Sequence, residues 1–334
     1  MLKTNIVYIY DNYQNTAVIQ KYLEIIGKAF KRCGYKCEFI KRIDNSINKK
    51  ALIVFPLALD AFKYYFKGYK NIVLWQQGAG ADESYMRNKS KLRYYVLNFI
   101  DCFMMKKSKF ILYVSDFMRT HYEKLSHCSF ERNSYIMPCF NENFDERIFE
   151  KKEYDKRVFA YVGSLAVWQC FESTLEIYLQ IEKRFPDAFL KVLTFQIDEA
   201  KKLLEEKGIK NYEIKCVTSE EVKKELLEVT YGFVIREDNI VNRVATPTKL
   251  SSYLSAGVIP IYSKCLLDFD CLRNKRNCSF GLDDRIDIET LFKYLNRKCN
   301  KKVICNEISD IFNTYYNSEF HIDRISEKLR RILK

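Results

Sequence analysis

The stretch that most constrains the fold runs from Tyr231 to Ile261. Its two ends, Tyr231 to Ile235 and Val258 to Ile261, are short β-branched and aromatic runs, which are typical of buried parallel strands. Between them, a helix is predicted to begin after the cap residue Thr246 and to end at Gly257. The block therefore predicts strand, loop, helix and strand, which is the repeating unit of a parallel α/β sheet.

Cations gather around the start of this helix. Lys249 falls in the first turn, where unpaired amides and the helix dipole make a lysine unfavourable unless an anion is bound. Arg236 follows the first strand and Arg243 lies in the loop, so three cations and the free amides predict a phosphate site. The alternative is that Lys249 and Arg243 point into water. Arg236 would then pair with a neighbour in sequence, Glu237 or Asp238.

Two segments together resemble bacterial glycosyltransferase family 4 enzymes of the GT-B fold. One is REDNIVNRVATPTKLSSYLSAGVIPI, which starts at Arg236, and the other is YVGSLAVWQ, which starts at Tyr161. The similarity covers residues 157 to 262, and WQQGAGADES from Trp75 and YVSDFMRTHYEKL from Tyr113 are weaker counterparts in the first half. The resemblance implies a second domain that binds a nucleotide-sugar and a transfer reaction that retains the anomeric configuration.

The same resemblance implies individual site residues. Arg236 and Lys249 are expected to be catalytic, through contacts with the leaving diphosphate. The residues expected to bind the nucleotide-sugar are Gly163, Ser164, Trp168, Gln169, Asn242, Thr248 and Ser252. A tight turn would also require Gly163, and Trp168 equally suits the core. Similar enzymes often carry two glutamates eight residues apart, and these positions here hold Val244 and Ser252, which leaves the expected ribose clamp without carboxylates.

Length and composition set the domain organisation. The 334 residues suit two domains of about 150 residues, and 48% hydrophobic residues can fill two cores. We expect an α/β protein with two Rossmann-like domains facing a central cleft. The predicted bounds are 1–139 for the acceptor-side domain, 140–156 for a linker, 157–315 for the nucleotide-sugar domain and 316–334 for a helix packing back on the first domain.

The first half alternates apolar strands with helices, which favours a doubly wound parallel sheet. Its first turn, YDNYQNTA from Tyr10, has no glycine, so we do not expect the nucleotide there. After Trp75 the segment QQGAGADES has two glycines and polar ends, and Gln77 is the acceptor-side candidate. A plain loop that caps the next helix with Asp82 to Ser84 explains the segment equally well. His121 has no predicted partner and is not a candidate.

The segment from Tyr85 to Phe110 predicts one long helix that is apolar nearly all round. Its expected core-facing stripe is Leu92, Val96, Phe99 and Phe103. The helix is flanked by the cations Arg87, Lys89, Lys91, Arg93, Lys106 and Lys107. Burial explains such a helix, and so does contact with an anionic membrane surface, where the cations would meet lipid headgroups.

Charge and cysteine usage bear on partners and location. The formal net charge of +13 favours an anionic partner, and because no RNA-binding motif is present we do not expect nucleic acid. The sequence has no signal-peptide pattern and no apolar run of about 20 residues, so we expect a cytoplasmic protein. Peripheral contact with the inner face of the cell membrane is a further expectation that these patterns leave open.

Twelve scattered cysteines without a C-x-x-C pair, together with three histidines, argue against zinc. We expect reduced thiols, some of them in the core, such as Cys216. The D-x-D string at Asp268 to Asp270 is interpreted as chance, and neither a metal nor a cofactor is expected.

The sequence thus predicts a glycosyltransferase that moves a sugar from a nucleotide-diphosphate sugar to a glycan or lipid-linked acceptor in bacterial surface polysaccharide synthesis. Two alternatives stay open. A nucleotide-sugar epimerase needs carboxylates and a histidine that the sequence does not bring together. A catalytically silent glycan- or nucleic-acid-binding protein is favoured by the two missing glutamates and opposed by Gly163, Arg236 and Lys249.

Overall fold

The computed structural model describes residues 6–11, 17–272, 275–283, 285 and 287–333. The chain divides into two compact units, one formed by Met1–Cys139 with Asn317–Lys334 and the other by Phe140–Tyr316. Most of the turn after the first strand, where no nucleotide was expected, lies outside the described residues.

The first unit is built on a parallel sheet that has six strands in the described residues, in the order β2-β1-β3-β4-β5-β6. Strands β3, β4 and β5 are almost entirely buried, as expected for strands covered on both faces. The strands are β1 (Ile6–Tyr10), β2 (Lys36–Ile40), β3 (Leu52–Phe55), β4 (Ile72–Gln76), β5 (Phe110–Tyr113) and β6 (Ser134–Ile136).

Helices of the first unit include one from the far end of the chain. The helices are α1 (Ala17–Arg32), α2 (Ala58–Phe66), α3 (Gly80–Asn88), α4 (Lys91–Lys107), α5 (Asp116–Ser126) and α15 (Ser318–Ile332). Helix α15 packs on α1, where the Ser326 hydroxyl donates a hydrogen bond to the Ala29 carbonyl at 3.0 Å. His321 is buried and lies 2.8 Å from the Tyr135 hydroxyl through Nδ1. The predicted return of the terminal helix to the first sheet is therefore confirmed.

The predicted long helix is wrong in two respects. Lys89 adopts a left-handed conformation with φ 53°, which ends α3, and Ser90 caps α4 by accepting from the Arg93 amide. Three of the four residues in the predicted core stripe are exposed, Leu92 at 77%, Val96 at 48% and Phe99 at 63%, and Phe103 is half-buried. The buried face of α4 instead carries Asn98, Ile100, Asp101, Met104 and Met105. Because both faces are apolar, periodicity alone did not identify the one that packs on the unit.

The second unit repeats the architecture, with six described strands in the order β12-β11-β10-β7-β8-β9, and each pairing is parallel. Its strands are β7 (Val158–Val162), β8 (Phe189–Leu193), β9 (Tyr212–Lys215), β10 (Tyr231–Val234), β11 (Ile259–Ser263) and β12 (Phe280–Leu282). Its helices are α6 (Ile148–Lys151), α7 (Phe171–Arg184), α8 (Ile197–Glu206), α9 (Ser219–Leu226), α10 (Ile240–Arg243), α11 (Thr248–Ser255), α12 (Leu267–Asp270), α13 (Ile288–Leu295) and α14 (Lys301–Thr314).

Residues 140–156 belong to this second unit. The Tyr154 hydroxyl donates to the Gly257 carbonyl at 2.8 Å, and the Phe149 side chain is buried. Lys152 is 1% exposed, and its ammonium donates to the carbonyls of Leu226, Leu227 and Val229 around the end of α9. The tract is thus held by side-chain contacts with the second unit.

Several local predictions can be compared with the structure. Gly257 has φ +66° after α11, which confirms the predicted left-handed end of this helix. The cap position is Pro247 and not Thr246, so the helix begins one residue later than expected. Cys216 is exposed and not in the core, because β9 is an edge strand that ends at Lys215.

No disulfide joins any of the twelve cysteines, all of which lie in the described part of the chain. Within the same part, none of the helices combines the length and the apolar character that crossing a bilayer requires.

Candidate functional site

The second sheet places two candidate residues side by side. Gly163 directly follows β7 and Arg236 lies two residues after β10, and these two strands are neighbours at the centre of the sheet. The chain leaves β7 towards β8 on one side and leaves β10 towards β11 on the other. Such a reversal opens a crevice beyond the carboxyl ends of the strands, where α/β proteins bind their ligands.

Helix α11 is held against these strands by one aromatic ring. Tyr253 is fully buried, and its hydroxyl donates to the Ala160 carbonyl at 3.2 Å. A β-carbon at position 232 would lie 2.6 Å from the Tyr253 ring, so the ring fits only because this position is glycine. Lys249 lies one turn before Tyr253 and therefore on the same helix face.

This register puts Lys249 directly over Gly163. A β-carbon at position 163 would lie 2.9 Å from Cε of Lys249, and Gly163 has φ +123°, a conformation that other residues rarely adopt. The Lys249 ammonium also lies 4.6 Å from the centre of the Tyr161 ring, in cation–π geometry. Glycine is thus required here for both its backbone conformation and its lack of a side chain.

Arg236 and Lys249, the cation pair, share a single acceptor. Nη2 of Arg236 and Nζ of Lys249 each donate to Oε1 of Gln169 at 2.6 Å. The guanidinium also donates to the Ile235 carbonyl at 2.7 Å, and the Arg236 amide donates to Oγ of Ser263 at 2.9 Å. Two positive groups therefore converge on one neutral amide oxygen.

The electrostatics of the cation pair are unfavourable without an anion. Arg236 is only 8% exposed, and burial lowers the pKa of its guanidinium. Burial also lowers the pKa of Lys249 well below its usual value, and the charge of Arg236 lowers it further. In the described part of the chain, neither cation has a carboxylate within 4.0 Å. A phosphate would supply the missing negative charge and accept several hydrogen bonds.

The loop after Gly163 completes one side of this crevice. Residues Val167–Gln169 form a short 3-10 turn, and Cys170 follows in a left-handed conformation with φ 49°. Ser164 and Trp168 are half-buried in this loop, and the Ser164 carbonyl accepts from the Tyr161 hydroxyl at 2.7 Å. Gly163 and Gln169 are therefore brought together with the cation pair, and Ser164 and Trp168 lie in the same loop.

The other predicted donor residues have different contacts. Asn242 is buried and donates from Nδ2 to the Glu237 carbonyl at 2.9 Å, which fixes the loop after β10. Thr248 opens α11, and its carbonyl accepts from the Ser252 hydroxyl at 3.3 Å. The same hydroxyl also donates to Oδ1 of Asn141 at 3.0 Å. These side-chain bonds support the loop and the helix and do not involve the cation pair.

Arg243 does not join the site as expected. Arg243 is the last residue of α10, its guanidinium pairs with the Asp238 carboxylate just before that helix, and it is about half exposed. The predicted cluster of three cations is therefore a pair. Asp238 and Arg243 are five residues apart, which is not the spacing of three or four residues that brings side chains together on a helix. The sequence therefore did not predict this ion pair. Val244, at one of the two glutamate positions, is buried.

No family model and no curated protein sequence matches the chain. Solved structures do match it over nearly its whole length. Anabaena Alr3699/HepE, in complex with UDP and glucose, has a TM-score of 0.67 at 10% identity and covers 98% of this chain and 99% of its own. WaaG, a glycosyltransferase involved in lipopolysaccharide biosynthesis, has a TM-score of 0.62 at 12% identity, with the same coverage.

The lipopolysaccharide outer core galactosyltransferase WaaB has a TM-score of 0.63 at 13% identity and covers 96% of this chain and 98% of its own. These neighbours share two Rossmann-like units and are GT-B glycosyltransferases. The chain has the GT-B fold. This confirms the fold that the sequence resemblance implied. The crevice around the cation pair belongs to the second of the two Rossmann-like units.

In the first Rossmann-like unit of this GT-B chain, a cavity of about 340 Å³ lies beyond the end of β4. Gln77, the acceptor-side candidate, lines it and donates from Nε2 to the Pro56 carbonyl at 2.9 Å. Gln76, Glu83 and Asp101 also line it. Burial raises the pKa of Asp101 to about 7, although the hydrogen bond from Tyr122 acts in the opposite direction. Burial likewise raises the pKa of Glu83.

A polar network next to this cavity was missed in the sequence. The Tyr122 hydroxyl donates to Oδ2 of Asp101 at 3.0 Å, and Nε2 of Gln76 lies 3.0 Å from the same hydroxyl. Nε2 of His121 lies 3.7 Å from Oδ2 of Asp82. Burial raises the pKa of Asp82 to about 6 and lowers the pKa of His121. His121 therefore has the acidic neighbour that the sequence did not predict.

The D-x-D string has structural contacts. Oδ1 of Asp270 accepts from the Tyr262 hydroxyl at 2.6 Å, and Oδ2 of Asp268 accepts from the Tyr315 hydroxyl at the same distance. The two carboxylates thus bond to tyrosines from different elements. Among the described residues, no group of three or more histidine, cysteine or acidic side chains is placed to hold a metal ion.

Proposed function

We propose that this protein is a glycosyltransferase that uses a nucleotide-diphosphate sugar as its donor. The observation that carries the proposal is the cation pair, because Arg236 and Lys249 share one neutral acceptor at the central crevice of a Rossmann-like sheet. A buried guanidinium and a half-buried ammonium at that place suit the two phosphates of a nucleoside diphosphate. The UDP bound by Anabaena HepE, which has the same fold, is consistent with this donor class.

The reaction breaks the bond between the anomeric carbon and the diphosphate oxygen. A bond forms from an acceptor hydroxyl oxygen to that carbon, and the hydroxyl proton is released. Negative charge develops on the leaving diphosphate, so a preplaced guanidinium, an ammonium and the first amides of α11 stabilise the transition state more than the ground state. The proposal assigns this role to protein groups and requires no metal.

The acceptor side of the proposal rests on the cavity beyond β4. Its amide and carboxyl groups suit the hydroxyls of a glycan or of a lipid-linked saccharide, since a carboxyl with a pKa near 7 can both donate and accept hydrogen bonds. Retention of configuration follows from the sequence resemblance alone. The proposed process is surface polysaccharide synthesis, because the neighbour WaaG is involved in lipopolysaccharide biosynthesis and WaaB is a lipopolysaccharide outer core galactosyltransferase.

A thermal-shift panel of nucleoside diphosphates and their sugars tests the donor assignment, since a ligand that binds only the folded state raises the melting temperature. We expect one nucleotide family to give a shift that disappears in Arg236→Gln and Lys249→Ala. Arg243→Ala is the matched control, because it removes a cation from the same loop outside the pair. The donor assignment is wrong if no nucleotide produces a shift at millimolar concentration, or if the shift survives in both variants.

A protein that binds the donor without transferring it is the second candidate, because Val244 and Ser252 occupy the two positions at which similar enzymes have glutamates. Product analysis separates the candidates. Transfer or hydrolysis releases nucleoside diphosphate from the donor, an epimerase converts the donor into a second nucleotide-sugar without release, and a silent binder leaves the donor unchanged over long incubation.

A further inference from the structure

Helices α2 and α4 of the first unit together expose a continuous aromatic surface. Phe66 is 66% and Phe99 63% exposed. Phe99 stacks on Phe103 at 6.0 Å between ring centroids, and Phe103 stacks on Phe66 at 5.9 Å. Phe62 contacts Phe66 at 4.8 Å. These four rings, which we call the aromatic face, form one contiguous patch. Aliphatic and aromatic neighbours on the same two helices, Leu59, Leu92, Tyr95 and Val96, are also exposed.

Lysines border the aromatic face. The Lys70 ammonium lies 3.4 Å from the centre of the Tyr65 ring, which packs on Phe103, and 5.6 Å from that of Phe66. The Lys107 ammonium lies 5.8 Å from the Phe103 ring. Further exposed cations on or beside α2 and α4 are Lys63, Lys67, Lys91, Arg93 and Lys106.

These positive charges are not neutralised by the protein. In the described part of the chain, none of these seven cations lies within 4.0 Å of a carboxylate, and the single acidic residue of α4, Asp101, is buried. This aromatic patch, which unpaired lysines border, is complementary both to an apolar phase and to a negatively charged surface. It needs a partner with an apolar interior and a negatively charged surface.

We infer that the aromatic face docks on an anionic phospholipid bilayer, with the phenylalanine rings at the depth of the upper acyl chains and the lysines among the headgroups. The interfacial position suits long lysine side chains, whose stems lie along apolar surface while their ammonium groups stay in water. This surface belongs to helices that do not contain the cation pair, so the inference does not rest on the assignment of the donor site.

A second copy of the chain is a poorer occupant. An isologous contact through the aromatic face would bring two sets of unpaired lysines together, and like charges across an interface oppose association. An anionic lipid surface is favoured by the same charges. The electrostatic part of lipid binding should therefore fall with salt, over a Debye length of about 8 Å at physiological ionic strength.

Flotation of the full-length protein with vesicles tests the inference. We compare vesicles of phosphatidylcholine alone with vesicles that also contain phosphatidylglycerol, and we expect binding to the second kind that weakens as salt is added. Phe66→Ser and Phe99→Ser should each lower the vesicle partition coefficient about tenfold or more, because each removes a ring from the apolar phase. Phe195→Ser is the control, since Phe195 is 71% exposed and belongs to the second unit.

The lysines are tested separately. Lys70→Gln and Lys107→Gln should each lower binding to anionic vesicles about fivefold, whereas Lys183→Gln, an exposed lysine of the second unit, should leave it unchanged. Equal binding to neutral and anionic vesicles, or binding to neither, overturns the inference. Lipid-free dimers that Phe99→Ser converts to monomers also overturn it, because they identify a second copy as the occupant. All these positions are exposed, so loss of binding with an unchanged melting curve reports the surface itself.

Discussion

Both units collect polar side chains beyond their central strands, but in the second unit these are the cations Arg236 and Lys249 and in the first they are the carboxyl groups of Asp82 and Asp101. Among the described residues, no carboxylate lies within 4.0 Å of Arg236 or Lys249, and burial lowers the pKa of each. Asp82 and Asp101 have raised pKa values, about 6 and about 7, because burial disfavours their ionised forms. The same parallel-sheet architecture thus carries a cationic site in one unit and a partly protonated carboxyl site in the other.

The difference shows that the loops and helices after the strands, and not the sheet, decide what each unit can bind. A buried pair of cations suits a polyanion, which they can hold with charge-assisted hydrogen bonds. A carboxyl that is partly protonated near neutral pH suits uncharged hydroxyls. The contrast fits a donor that carries a diphosphate and an acceptor that does not, and the following experiments test it.

The largest effect is expected for Lys249→Ala. Removing a contact with the leaving diphosphate should cost about 2 to 4 kcal/mol of transition-state stabilisation, or roughly a hundredfold or more in turnover. Donor affinity should also fall, whereas acceptor affinity should hardly change, and Lys249→Glu should be worse. Turnover and donor titration are measured at matched melting temperatures with Arg243→Ala as the control. Near-normal turnover in Lys249→Ala would place the phosphate site elsewhere.

Gln169→Glu tests the charge balance directly. A carboxylate at the shared acceptor position should neutralise part of the cation pair, which should raise the free energy of unfolding. The same carboxylate should repel the diphosphate and lower donor affinity about thirtyfold, equivalent to about 2 kcal/mol. Calorimetric unfolding and donor titration measure the two effects, with Gln180→Glu as the exposed control. A variant that is both less stable and equally tight for the donor contradicts the anion site.

Asp101→Asn tests the other half of the comparison. The folded pKa of Asp101, about 7, lies above its unfolded value near 4, so the folded state binds more protons between these pH values. The wild-type protein should therefore lose stability as pH rises through this range, and the asparagine variant should lose about 3 kcal/mol less between pH 4.5 and 8. Melting curves from pH 4.5 to 8 measure this, with exposed Asp310→Asn as the control. Parallel curves for wild type and Asp101→Asn would show that the cavity does not hold a protonated carboxyl.

The smallest effect is expected from Gly163→Ala compared with Gly208→Ala. Both glycines have positive φ, at +123° and +71°, so both substitutions add backbone strain of about 1 kcal/mol or somewhat more. Only position 163 has Lys249 in the way, since nothing lies within 4 Å of a β-carbon at position 208. Donor affinity should fall several-fold in Gly163→Ala and stay unchanged in Gly208→Ala. Equal donor affinities would mean that Lys249 does not need its position over Gly163.

The parts of the site that the sequence could predict are those governed by local rules. Lys249 lies in the first turn of α11 and Gly257 ends that helix, because capping preferences act within a few residues. Gly163 and Arg236 lie side by side because β7 and β10 are neighbouring strands, as the GT-B fold implied by the resemblance requires. The shared acceptor Gln169 was a predicted donor contact, but its position between the two cations depends on the turn at Val167–Gln169.

The parts that the sequence could not predict depend on contacts between distant segments or on a choice between equivalent faces. His121 and Asp82 are well separated in sequence, so no periodicity indicates their approach to 3.7 Å. Helix α4 is apolar on two faces, and Asn98 and Asp101 are buried while Leu92 and Phe99 are exposed, contrary to the usual preference. The approach of His121 to Asp82 and the buried face of α4 are therefore both decided by tertiary packing and not by local sequence pattern.

The position of α15 has a consequence for the order in which the chain folds during synthesis. The buried side chains Ile322, Ile325 and Leu329 of this helix complete the first unit, yet they are translated after the whole of the second unit. Synthesis at about 5 to 20 residues per second takes on the order of ten seconds or more to pass through the second unit. During this time part of the surface of the first unit is uncovered. A ribosome-bound chain would thus finish its second unit first, and the exposed surface of α1 is where a chaperone would have to act.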